Sequence, residues 1–83
     1  AARRMMPLRM AQPGETVQLV ALRGGHRMRR RLADMGLTLN MPLRLVQRNG
    51  HGPVIVDVKG TRLAIGRGMS HRIMVEPLIK TKE

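Results

Sequence analysis

The stretch Val54-Ile55-Val56-Asp57-Val58-Lys59-Gly60-Thr61-Arg62-Leu63-Ala64-Ile65 decides the fold class. Val54, Val56 and Val58 recur at every second residue, as do Leu63 and Ile65, the period of strands buried on one face. Lys59-Gly60-Thr61 lies between them as a turn cluster, with a glycine free to take positive φ. The same alternation appears on either side. Val17, Leu19 and Ala21 share a face upstream, Leu43 and Leu45 follow Pro42, and Ile73 and Val75 precede Pro77. Asn49-Gly50-His51-Gly52-Pro53 and Gly66-Arg67-Gly68 read as further turns. The pattern predicts a mainly β chain of five short strands, closed or nearly closed into a small barrel. Closure removes the exposed edges that a short open sheet would present.

One segment breaks this period. Within residues 26–35, Met28, Leu32 and Met35 stand at i, i+4 and i+7, one stripe of a short helix inserted after the first strand. Gly36 can adopt a left-handed conformation, and Leu37 beyond it can close against Leu32, which is the pattern of a Schellman stop. Arg27, Arg29, Arg30 and Arg31 fall in the first half of this helix. Positive charge there opposes the macrodipole at about 0.3–1 kcal/mol per exposed group. The helix therefore depends on packing of its apolar stripe, and a locally unfavourable arginine run points to a functional surface.

Composition limits what the chain can do. Its 83 residues suffice for one modest core and leave little room for a deep catalytic cleft. Cysteine is absent, which excludes disulfides, thiolate nucleophiles and Cys-ligated zinc, and favours a reducing compartment. Phe, Tyr and Trp are also absent, so the core must come from Leu, Val, Ile, Ala and Met. The eight methionines read as gap fillers rather than soft-metal ligands. Sixteen Lys and Arg against five Asp and Glu give a formal charge of +11, which selects an anionic partner. No apolar run is long enough to span a bilayer, and Ala1-Ala2-Arg3-Arg4 is not followed by the apolar core of a signal peptide.

No catalytic constellation emerges. The acids Glu15, Asp34, Asp57, Glu76 and Glu83 are scattered. Ser70 precedes His71 without the G-x-S-x-G elbow, and neighbours in an extended segment point opposite ways. His26, His51 and His71 lack the spacing of zinc ligands. They are the weak candidates for a metal site built from loops, and with methionine ligands they would make the chain a metallochaperone. A small basic barrel can also bind RNA or DNA, but such sites commonly stack bases on aromatic rings, which disfavours nucleic acid here.

The segment Met28-Arg29-Arg30-Arg31-Leu32-Ala33-Asp34-Met35-Gly36-Leu37 resembles the helix and stop of the ferrous iron transport protein A family, FeoA. Gly52-Pro53-Val54 and the stretch Arg62-Leu63-Ala64-Ile65-Gly66-Arg67-Gly68-Met69-Ser70-His71-Arg72-Ile73-Met74-Val75 resemble it as well. Asn40 stands where the family commonly has Gly, and Ser70 where Ala is usual. The resemblance implies an SH3-like barrel of five to six strands over residues 8–77. Residues 1–7 are then an irregular or expression-derived tail, with Met5 or Met6 as the natural start, and residues 78–83 a frayed C-terminal tail.

The resemblance further implies a non-catalytic accessory protein of bacterial ferrous iron uptake. It would be cytoplasmic, at the inner face of the membrane, and would act on the permease FeoB through that protein's cytosolic G-protein domain or membrane part. An anionic membrane surface and a second copy of the chain are further candidate partners. No cofactor is required beyond transient Fe(II) or another divalent metal. The residues expected to meet a partner are Arg29, Arg30, Arg31, Met35 and Leu37.

Overall fold

The computed structural model describes residues 5–78. Six antiparallel strands form one sheet: β1 (Met6–Pro7), β2 (Thr16–Leu22), β3 (Pro42–Arg48), β4 (Val54–Val58), β5 (Thr61–Ile65) and β6 (Ile73–Pro77), in the spatial order β1-β6-β2-β3-β4-β5. Two helices interrupt them, α1 (His26–Asp34) and α2 (Arg67–Arg72), with a 3-10 turn at Leu8–Met10. Among the described residues the hydrogen-bonded ladder stays open, so of the barrel expected to be closed or nearly closed, full closure is corrected. β1 is only two residues long and pairs with β6 alone. Among the described residues, no strand pairs with the outer edge of β5.

The β4–β5 hairpin follows the alternation directly. Val54 pairs with Ile65, Val56 with Leu63 and Val58 with Thr61, so the apolar residues fall on one face. The two residues between the strands, Lys59 and Gly60, have φ of 52° and 84°, the geometry that matches a tight turn to the twist of its strands. The Gly60 N–H donates to Asp57 Oδ1 at 2.9 Å, so Asp57 closes this turn.

Bulges shift two other strands off the simple period. In β2 the register against β6 slips between Leu19 and Ala21. Val17 and Leu19 are buried, but Ala21 is not, and Leu22 packs on the core instead. One extra residue resets which face the strand presents. In β3 a similar slip lies between Leu45 and Gln47. Both bulges bend the sheet around a core of Leu8, Val17, Leu19, Leu43, Leu45, Val54, Val56, Ile65, Ile73 and Val75.

Helix α1 ends as its sequence indicates. The Leu37 N–H donates to the Leu32 carbonyl at 3.0 Å and the Gly36 N–H to Ala33 at 2.9 Å, with Gly36 at φ 83°. These are the two bonds of a Schellman motif. Leu32 is buried and Met28 and Met35 pack partly against the core. Full burial of a leucine is worth about 1.5–3 kcal/mol, enough to offset an N-terminus that has only Gly25 as its cap and no acidic residue in its first turn.

Three expectations need correction. Gly66-Arg67-Gly68 is not a turn: Gly66 caps α2, and Met69 and Ser70 are buried on that helix. Two glycines hide a helix whose formation comes from tertiary packing rather than propensity. Ser70 and His71 are therefore helical, not extended. The tail expected over residues 1–7 is not irregular throughout, since Met6–Pro7 pair with β6; Leu8 and Ala11 just beyond it are fully buried. The expectations for the first four residues and for residues 79–83 lie outside the described residues. Among the described residues, no helix is long and apolar enough to cross a membrane.

Candidate functional site

The inserted helix α1 separates two surface grooves. The first, of about 480 Å³, lies between α1 and β2 and continues into the loop after the helix stop. Its walls are apolar, formed by Val20, Leu22, Leu32, Leu37 and Leu39, and Arg29 stands in it as the charged member. The second, of about 380 Å³, lies on the opposite flank of α1, against α2 and the end of β5, and includes Arg31, Met35 and Arg72.

The residues expected to meet a partner therefore divide. Arg29 belongs to the first groove, Arg31 and Met35 to the second. Arg30 is exposed and lines neither. Leu37 is 1% exposed, so it forms the floor of the first groove and is mainly a core residue. Leu39, two residues on, is 57% exposed and is the apolar side chain offered outward. Sequence reading passed over Leu39 because it follows the helix stop and belongs to no period. It passed over Met69 and Arg72 because α2 read as a turn.

The loop carrying Leu39 is held at several points. Asn40 sits at φ 71°, its N–H donates to the Leu19 carbonyl at 2.6 Å, and Gln18 Nε2 donates to the Asn40 carbonyl at 3.1 Å. The Thr38 N–H donates to the Met41 thioether at 3.2 Å. Leu39 is thus presented from a braced turn, which limits the entropy that a partner must remove on binding.

A smaller cleft on the far side involves Arg9, Met10, Arg48 and Gly50. Here Arg9 is occupied structurally. Its Nη1 donates to Ser70 Oγ at 3.3 Å and its Nη2 to the Gly50 carbonyl, while Arg48 Nη1 donates to the Arg9 carbonyl at 3.2 Å. Ser70 Oγ in turn donates to the Arg67 carbonyl at 3.0 Å. Ser70 is therefore a tie between α2 and the 3-10 turn, with its hydroxyl already engaged.

The three histidines are exposed and lie on three different elements: His26 opens α1, His51 lies in the β3–β4 connection and His71 is near the end of α2. Among the described residues, no three His, Asp or Glu side chains come together in a way that could hold a metal ion.

Comparison with known proteins adds to this geometry. A family model described as the FeoA domain matches residues 6–77. A Methanocaldococcus jannaschii protein named for Fe(2+) transport is 42% identical over 72 residues, covering 87% of each chain. The crystal structure of an iron uptake regulatory protein, FeoA, superposes with a TM-score of 0.84 at 37% identity, covering 90% of this chain and all of that one. The fold also recurs in a manganese-dependent transcriptional repressor, at 21% identity and a TM-score of 0.84, where it covers 94% of this chain and 44% of the repressor.

Proposed function

Because the chain belongs to the FeoA domain family, we propose that it serves ferrous iron uptake as a non-catalytic binding module, docking on the cytosolic G-protein domain of the FeoB permease. The observation that carries this reading is the apolar groove between α1 and β2, with exposed Leu39 in its wall and Arg29 within it. An apolar anchor in a pocket beside a charge-selecting arginine is the usual anatomy of a specific protein contact. The partner surface supplies an apolar side chain for the groove and carboxylates for Arg29 and Arg30. The charge of +11 steers the encounter toward such an acidic surface. In this reading the protein acts on the cytosolic side of the membrane and requires no cofactor of its own, iron being the cargo of the permease.

Charge reversal at Arg29 and Arg30 together, with Arg31 of the second groove left as it is, tests this. Both are exposed, so the variant should melt with the natural sequence. It should capture the detergent-solubilised permease far less well than the natural sequence does in a pull-down. Capture at the same level by both would remove the proposal.

A further inference from the structure

Among the described residues, nothing pairs with the outer edge of β5, and its outward-facing backbone groups can be identified. Lys59-Gly60 is a two-residue turn closed by the pair Val58 and Thr61. In such a hairpin the closing pair exchanges both backbone hydrogen bonds, and hydrogen-bonded and non-bonded pairs then alternate along the strands. Val58–Thr61, Val56–Leu63 and Val54–Ile65 are the bonded pairs. Arg62 and Ala64 consequently turn their N–H and C=O groups away from β4. Among the described residues, no backbone or side-chain hydrogen bond reaches these groups. An unpaired strand edge is a ready template for another strand.

This edge does not face open solvent along its whole length. Ala64 is part of the second groove, whose other walls are Met28, Arg31 and Met35 of α1 and Met69 and Arg72 of α2. Three methionine side chains thus line a cavity beside a free strand edge, with a guanidinium contributed by each of two helices. Methionine is unbranched and polarizable, and suits apolar ligands of varied shape. Among the described residues, no ion pair involves Arg31 or Arg72.

We infer that this groove is a second binding site, which takes an extended acidic segment of a partner protein as an added strand on β5. The backbone of the segment pairs with Arg62 and Ala64. One of its apolar side chains enters the space between Met28, Met35 and Met69. Carboxylates two residues before and after it, on the same face of the added strand, meet Arg31 and Arg72. Strand addition of this kind draws affinity from main-chain hydrogen bonds and specificity from side-chain pockets. The charge argument selects the occupant: a second copy of this chain is also strongly basic and would place like charges together. The site lies on the opposite flank of α1 from the groove assigned above to the permease, and stands independently of that assignment.

The probe is a synthetic peptide with a branched aliphatic residue, glutamates two residues before and after it, and threonines between, titrated into the intact chain and followed by anisotropy and by amide NMR. Saturable binding is expected, with new protection from hydrogen exchange at the Arg62 and Ala64 amides. R31E/R72E, at two exposed positions, should weaken binding about tenfold or more. The same peptide N-methylated at alternate amides cannot pair with a strand edge and should not bind. Equal binding of the N-methylated peptide, or of a peptide with lysine in place of glutamate, would overturn the inference. So would protection of Arg62 and Ala64 that depends on protein concentration without peptide, the mark of self-association.

Discussion

Asn40 shows how one residue can keep a turn that its type does not favour. At φ 71° it lies in the left-handed region, which costs most L-residues about 1–2 kcal/mol and costs Asn less. The sequence marks the position through the FeoA resemblance, in which glycine is common there. Asn40→Gly should leave the midpoint of thermal unfolding unchanged or raise it, while Asn40→Val should lower stability by about 1–2 kcal/mol. Melting curves of the two variants against the natural sequence measure this directly. Leu37 and Leu39 show what a sequence conceals at the same scale. Both are leucines next to a helix stop, yet one is 1% and the other 57% exposed. Only the path of the chain after Gly36 separates a core residue from a contact residue.

At the scale of elements, legibility followed how local the determining forces are. Helix α1 carries its own evidence, namely an apolar stripe and a glycine stop whose two closing hydrogen bonds both form. The β4–β5 hairpin does as well, since alternation and turn chemistry agree. Helix α2 does not. It is six residues long with a glycine as its second residue, and its buried Met69 and Ser70 are held by contacts with distant parts of the chain. The bulge in β2 was equally hidden, because alternation within one strand says nothing of where its partner's register slips. The weak start of α1 gives a prediction at this scale. Gly25 has φ −85° and ψ −169°, open to any residue, and a Cβ there would meet nothing within 4 Å. Gly25→Asp adds a capping acceptor and a negative charge at the positive end of the helix, and should stabilise the protein by about 0.5–1 kcal/mol. A urea titration should show a higher midpoint with unchanged slope.

For the molecule as a whole, the missing aromatics, the aliphatic core and the basic surface were all readable from composition, and each follows from elementary constraints on a short chain. The closure of the sheet was not. Small barrels remove their edges by closing, but here the first strand has two residues and, among the described residues, the sheet stays open at β5. Nor could the sequence show that α1 separates two grooves, since that depends on α2. The function proposed is that of a basic binding module acting through its surface grooves. For the acidic partner proposed, affinity should fall as ionic strength rises and screens the arginines. The most direct test is calorimetric titration of the intact chain into the purified cytosolic G-protein domain of the FeoB permease, beside the variant R29E/L39E. Both substitutions are at exposed positions, so the variant should melt with the natural sequence. The account predicts saturable binding by the natural sequence and affinity lower by at least about tenfold, ~1.4 kcal/mol, in the variant. Equal affinity of the two proteins, or no binding by either, would contradict it.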